Sequence, residues 1–403
     1  MKVVLLGAGA SKSYSQSPTK IRMPIAKDFF RTFNQLQISN NPWVLIGDII
    51  VYLCETKKLQ LHEVEPYLNS GIDIEDLHSE IETARDEWLK EPSKFGFSLI
   101  NPYKAYNQLL FLFASVINEV QNGPISLAHI NIASFLGKND AVITFNWDTL
   151  IDKALNFTKK WNVDSGYGLT PNRIYRDGWK VPKRTKNNAP VLIKLHGSTN
   201  WLTSHSIIGQ NGSIEHSHDA EPGMVNIFEY TNYPYTCYKG RYMEGYNSFA
   251  YGYYPPNLQD VKGKRAPKGR TIVSLYPKFP WTKDGSAPSH GLISMPLIIP
   301  PVKNKKYEFF GSLFKSLWLQ AEEFLFQAKK IIIIGYSFPP TDVQSDQLFK
   351  QAFIKRTTMP DIVIVDPCPE KIVEKFKFEY GISESHIKVV KEYFTEHIDL
   401  SKL

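Results

Sequence analysis

The sequence predicts an α/β fold: a parallel sheet with helices on both faces, carrying one helical insertion and one β/loop-rich insertion. Two observations lead there. Short apolar runs at Lys2–Leu6, Ala141–Phe145, from Val191, and at Ile331–Ile334 read as buried strands. Each strand then ends in glycine or a small polar group. These ends are Gly7-Ala8-Gly9-Ala10-Ser11, Asn146-Trp147-Asp148, His196-Gly197-Ser198 and Gly335-Tyr336-Ser337. In an open parallel sheet, ligands bind outside the carboxyl ends of the strands, so four such ends describe one crevice.

Taken in order, Lys2–Leu6 and its glycine turn lead to a helix near Pro24–Phe33, where Pro24 suits a first turn. From about Pro42 to Leu136 the pattern is helical. Ile74, Leu77, His78, Ile81 and Trp88 share a face of Asp73–Leu89, and Tyr106, Leu109, Leu110, Phe113, Ile117 and Val120 share a face of the next helix. Such stripes are core and receive no chemistry. This stretch, about 42–136, reads as an insertion before the strand at Ala141, which is followed by a helix at Asp148–Leu155.

After Trp201 the texture changes. Nine tyrosines crowd Tyr230–Tyr254, with Pro255-Pro256 and the basic residues Lys262, Lys264, Arg265, Lys268 and Arg270 behind them. Aromatics interleaved with cations can stack bases and neutralise phosphates. A long β/loop insertion over about 202–291 with a solvated basic turn is the favoured reading, which leaves any nucleic-acid contact weak or indirect. A protein–protein interface comes next, since tyrosine is enriched there. The pattern closes with Pro296–Pro301, a helix near Phe309–Ala328, the strand at Ile331, a helix near Ser345–Phe353 and a last strand Ile362–Val365. Residues 1–403 are read as a single domain.

Composition sets bounds. A chain of 403 residues, 42% hydrophobic, can bury a full core, and its net charge of +7 is too mild to indicate nucleic acid by itself. Cys54, Cys237 and Cys368 are isolated, which points to a reducing compartment and away from a thiolate zinc site. His205, His216, His218 and Asp219 match no compact ligand spacing, so no metal is expected. Val3–Leu6 is cut short by Gly7, and no run approaches the roughly 18 apolar residues of a membrane span. A soluble, cytoplasmic protein is expected. The final Ser401-Lys402-Leu403 matches a peroxisomal tripeptide and is read as coincidence.

The strand ends carry the chemistry. Gly7 and Gly9 let the backbone turn tightly and bring N–H groups to a pyrophosphate, and Ser11 adds a hydroxyl donor. The third glycine of a dinucleotide fingerprint is missing, because Lys12 stands there. Asp366, closing Ile364-Val365, either holds adenosine ribose hydroxyls or is a turn Asp before Pro367. Asn146 and Asp148 lie two apart on extended chain and aim to one side. Asp148 reads equally well as a helix N-cap; Asn146 has no such role. His196, with an ordinary pKa of about 6.5, is a candidate base beside that pair.

Together GAGAS, TFNWD, KLHGS and IIGYSFPPTD resemble the sirtuin-like NAD-hydrolase family, the divergent branch found in bacterial anti-phage defence. The likeness covers roughly residues 1–36, 139–200 and 292–370. It implies a Rossmann-like fold and NAD as substrate. By motif position it also implies a pyrophosphate cradle at Gly7, Ala8, Gly9 and Ser11, with Asn146 and His196 as the catalytic pair. Asp148 would sit near the nicotinamide ribose, Thr144 in the segment before Asn146, and Gly335 with Ser337 on the adenosine side. Deacylase sirtuins carry a four-cysteine zinc module that three cysteines cannot build. Hydrolysis to nicotinamide and ADP-ribose is therefore favoured over protein deacylation, with a non-catalytic NAD or ADP-ribose sensor as a further alternative. A freely active NAD hydrolase would kill its own cell, so control is expected from a homo-oligomer and a HerA-type ATP-driven DNA translocase. Pro42–Leu136 and Tyr230–Tyr254 are the surfaces expected to make those contacts, as stretches the crevice does not need.

Overall fold

Aliphatic runs without polar interruption make strands suited to a sheet covered on both faces. Val3–Leu6, Ala141–Ile143, Ile331–Ile334 and Ile362–Val365 are such runs, and all are buried in the computed structural model. The structure describes residues 1–36, 43–90, 102–121, 123–175, 179–183, 189–204, 206–208, 214–216, 225–229, 251–254, 271–274, 294–300, 312–339 and 342–403.

Six strands form one parallel sheet, in the order Ile387–Val390, Asp361–Val365, Lys330–Ile334, Lys2–Leu6, Ala141–Thr144 and Val191–Lys194. Read from the other edge in chain order this is 3-2-1-4-5-6, the doubly wound, Rossmann-like arrangement flanked by helices. Its switch point falls between Lys2–Leu6 and Lys330–Ile334, so the two glycine-bearing ends Gly7–Gly9 and Gly335 meet there.

Several boundaries differ from expectation. Ile362–Val365 is not the last strand: Ile387–Val390 lies beyond it, and as an edge strand it exposes Lys388 and Val389 and so lacks a continuous apolar run. The first helix is Ala8–Lys12, directly on the glycine turn. The helix expected near Pro24 begins later, with a 3₁₀ turn at Ala26–Asp28 and an α-helix at Phe29–Leu36. Asp28 Oδ1 accepts from the Ile25 amide at 2.6 Å and sets that entry. The helix expected from Asp148 is Leu150–Phe157.

The helical stretch forms Trp43–Thr56, Leu61–Asn69, Ile74–Lys90, Pro102–Gln121 and Leu127–Phe135. Its apolar stripes build a second core, distinct from that of the sheet, in which Phe29, Phe33, Ile49, Leu77, Ile81, Leu109 and Phe113 are buried. Phe29–Leu36 belongs to this core although it precedes the expected insertion. Conversely Leu127–Phe135, inside the expected range, packs Ala128, Ile132 and Ala133 on the sheet.

Past Val191–Lys194 the chain leaves the parallel sheet in a tight turn, Leu195–His196, and enters a second sheet through Gly197–Ser204, antiparallel to Ser294–Ile298. Gly197 has φ +77°, and a Cβ there would lie 2.1 Å from the Leu297 carbonyl oxygen, so only glycine closes this turn. Within the β/loop insertion, Tyr251–Tyr254 pairs with Thr271–Ser274. Tyr230–Tyr246, the basic run 262–270, His205, His218, Asp219 and Cys237 lie outside the described residues. Among the described residues, no helix is long and apolar enough to cross a membrane.

Candidate active site

At the switch point two turns interlock, backbone against backbone. The Gly7 amide donates to Ile334 O at 3.1 Å and the Gly9 amide to Gly335 O at 2.9 Å. Gly335 has φ +59°, and a Cβ there would lie 2.4 Å from Ala10 N. A Cβ on Gly9 would lie 2.8 Å from Gly335 Cα. The glycines were expected to clear space for a ligand. Here the space at Gly9 is taken by Gly335, and two amides expected to face a phosphate are engaged within the protein.

Asn146 is fastened to this turn. Its Nδ2 donates at 2.7 Å to Gly7 O and at 2.7 Å to Ser11 Oγ. A carbonyl oxygen can only accept, so the amide nitrogen is the atom against Gly7. Asn146 therefore offers a ligand its Oδ1, an acceptor. Thr144 Oγ1 accepts from the Asn146 amide at 3.0 Å and donates to Leu6 O at 3.2 Å, which makes Thr144 a support rather than a lining residue.

Ser11 Oγ donates to Asp148 Oδ2. Its one hydrogen thus points to the carboxylate, where the sequence suggested a donor for phosphate. Asp148 Oδ1 accepts from the Leu150 amide at 3.0 Å, so Asp148 braces the helix start and the glycine turn at once. The N-cap is Thr149, so Asp148 supports the helix start from one residue before the cap expected of it, while its other oxygen holds Ser11. Asp366 Oδ1 accepts from the Cys368 amide at 2.8 Å, as a turn Asp does, and the residue also lines the cavity.

His196, 3% exposed, sits on its turn between Phe145, 5.1 Å away by ring centroids, and Trp147 at 5.9 Å. Trp147 is anchored by Nε1 donating to Ile299 O at 2.9 Å. Behind the turn lies a buried ion pair that the sequence reading did not single out. Lys194 Nζ is 3.1 Å from Asp152 Oδ2 and also donates to Asp148 O. Tyr167 donates to the other oxygen of Asp152 and accepts from Asn200 Nδ2 at 3.1 Å. Burial pushes the Asp152 carboxyl up, opposed by Lys194 and Tyr167. A lysine inside an apolar strand, VLIK, was the available signal for it.

These elements enclose a cavity of about 510 Å³. Ala8, Gly9, Ser11, Asn146, Asp148, His196, Gly335, Ser337 and Asp366 line it; Gly7 and Thr144 do not. Contrary to expectation, the helical insertion is part of the wall, through Asp73, Ile74, Glu75, Phe113 and Ile117. Pro24, expected in a helix, lines it as well. Of the charged side chains that line the cavity, Asp73, Glu75, Asp148, Asp342 and Asp366 are acidic and only Lys27 is basic. The lining therefore favours positive charge on a bound group. Asp342 closes the motif IIGYSFPPTD but was given no role from sequence. A larger cavity of about 900 Å³, near Asp164–Asn172 and Ser312–Leu317, contains none of the expected site residues. Among the described residues, no group of three or more His, Cys, Asp or Glu side chains could hold a metal; Cys54 is half-buried and Cys368 exposed.

No family model matches the chain, and no curated protein matches it. Among solved structures it is similar to a Sir2 homologue in complex with NAD, at 12% identity over 99% of this chain and 86% of that one, with a TM-score of 0.37. A mutant Sir2 homologue with ADP-ribose matches at 12% identity over 99% and 88%, TM-score 0.36. Sir2Tm bound to a propionylated peptide matches at 12% identity over 95% and 94%, TM-score 0.32. Such scores say nothing about substrate or reaction, which have to be read from the site itself.

Proposed function

We propose that this chain is an NAD hydrolase that cleaves the nicotinamide–ribose bond to give nicotinamide and ADP-ribose. One observation carries the reading: Asn146 and His196 line a single acidic cavity at the switch point of the sheet. Breaking an N-glycosyl bond develops positive charge on the ribose, and a carboxylate-rich wall lowers the energy of that state. Asn146 orients water or the carboxamide through Oδ1. His196 accepts a proton from the water or a ribose hydroxyl, and Asp148 offsets the developing charge while bracing Ser11 and Asn146. Gly335, Ser337 and Asp366 take the adenosine side, and the pyrophosphate lies along Ala8, Gly9 and Ser11, the part of the glycine turn that lines the cavity.

The motif resemblance extends the proposal to NAD depletion in anti-phage defence. Control by self-assembly and by a HerA-type ATPase goes with it. The helical insertion lines the cavity, so a partner bound to it could act directly on the site.

Nicotinamide release, measured with and without an acyl-lysine peptide, tests the reaction. Wild type should release nicotinamide from NAD alone, and His196→Ala should not. Release that requires the peptide makes the chain a deacylase. Saturable NAD or ADP-ribose binding with no release under any condition makes it a sensor.

A further inference from the structure

A buried carboxylate needs a partner, since desolvation of the charge is expensive. Asp342, 3% exposed, has its Oδ2 3.7 Å from His196 Nε2. The carboxylate is itself held. The Tyr336 hydroxyl lies 2.8 Å from Asp342 Oδ2 and 2.8 Å from Ser345 Oγ. Its single hydrogen is better used on the charged oxygen. Ser345 Oγ in turn donates to Asp342 O at 2.8 Å, and the Asp342 amide donates to Pro339 O at 2.9 Å. The Tyr336 ring stacks on Phe145 at 4.5 Å and 14°, and Phe145 flanks His196. Two short segments, Gly335–Pro339 and Asp342–Ser345, thus deliver a fixed carboxylate to the imidazole.

We propose that Asp342, oriented by Tyr336, is a positioning residue for His196 that fixes its tautomer and stabilises the imidazolium formed during turnover. The proposal rests on the hydrolase reading. With the Nε2 hydrogen directed to Asp342, Nδ1 is the basic nitrogen. As the ribose–nitrogen bond breaks, its electron pair leaves with neutral nicotinamide. Water oxygen bonds to the ribose carbon and gives its proton to Nδ1, from which it is later released to solvent. The imidazolium then lies beside a buried carboxylate, where the pairing is stronger than between exposed groups. The separation of 3.7 Å exceeds a hydrogen bond, and such contacts tighten when substrate binds. The other charged side chains lining the cavity are Lys27, Asp73, Glu75, Asp148 and Asp366, while Lys194 turns away to Asp152.

The test uses full-length wild type, Asp342→Asn and Tyr336→Phe. Asp342→Asn keeps the shape and an acceptor for Tyr336 but removes the charge. Nicotinamide release should lose kcat by about 10²-fold or more with KM little changed. Tyr336→Phe should lose kcat by a smaller factor. In parallel, the His196 ring is titrated by NMR, its signal identified by its loss in His196→Gln. The midpoint should move to lower pH in Asp342→Asn, because the imidazolium loses its anion. An unchanged midpoint, or a loss confined to KM, overturns the proposal. If wild type releases no nicotinamide, the hydrolase reading fails, and the titration still decides whether Asp342 holds His196. If Asp342→Asn does not fold, Tyr336→Phe with wild-type kcat overturns the proposal.

Discussion

Gly335→Ala, compared with Gly381→Ala, tests the interlock of the two turns. Both glycines have left-handed backbone, φ +59° and +70°, so alanine meets a similar conformational penalty at each, about 1–2 kcal/mol. They differ in surroundings. At Gly381 nothing lies within 4 Å of the added Cβ; at Gly335 it would lie 2.4 Å from Ala10 N, 2.5 Å from Gly9 C and 2.6 Å from Gly9 Cα. Those are backbone atoms of the turn that carries Ser11, and they must move by about 1 Å to reach ordinary contact. Forced repacking of this kind costs about 1–3 kcal/mol more. The expected difference between the two variants is therefore about 1–3 kcal/mol, with the backbone term cancelling. Urea unfolding of the two proteins side by side measures it, together with nicotinamide release. Gly335→Ala should lose turnover, since Asn146 hangs from Gly7 and Ser11; Gly381→Ala should keep it. Equal loss of stability in the two, or wild-type turnover in Gly335→Ala, would refute the interlock.

Asn146→Ala should reduce nicotinamide release by about 10²–10⁴-fold while the protein stays folded, because Asn146 is at a ligand edge; near wild-type turnover in the folded variant would remove it from the site. Lys194→Met leaves Asp152 buried without its cation and should destabilise by about 3–5 kcal/mol in chemical unfolding, whereas Lys194→Met with Asp152→Leu should recover much of that loss. Acid lability should trace to two buried histidines. Burial, with Arg85 adding to it, pulls His78 down to about 3, and burial pulls His129 down to about 4. Both folded values lie below the unfolded value of about 6.5, so their contribution is whole above that pH and lost as pH falls towards the folded values. At pH 5 each histidine withholds up to about 2 kcal/mol, at 1.36 kcal/mol per pH unit. His78→Leu should flatten the stability profile between pH 6.5 and 5, as followed by urea midpoints; an unchanged slope would show that His78 is not buried neutral.

The strand ends were legible because a buried strand signs itself locally. Val3–Leu6 and Ile331–Ile334 are apolar runs stopped by glycine, and Asn146 and His196 follow their strands directly. Ile387–Val390 was missed because an edge strand is half exposed and carries Lys388 and Val389 outward. Asp342 was missed because its meaning depends on His196, 146 residues earlier in the chain, and nothing in IIGYSFPPTD names that partner. Ser11 was legible as a strand-end residue, and it lines the cavity, but not the direction of its hydrogen, which Asp148 sets from another strand end.

The sequence by itself determined the class of the fold, the apolar stripes of the helical core and the small set of strand ends where chemistry could lie. Those follow from periodicity and from residue type, which act within a few neighbours. The tertiary structure alone decided the strand order, the interlock of Gly9 with Gly335, the bracing of Asn146 by Gly7 and Ser11, and the approach of Asp342 to His196. It also decided that Phe113 and Ile117, helix-core residues by pattern, close the cavity. These are long-range pairings, set by how two cores pack together, and a local pattern carries no record of which distant surface it will meet.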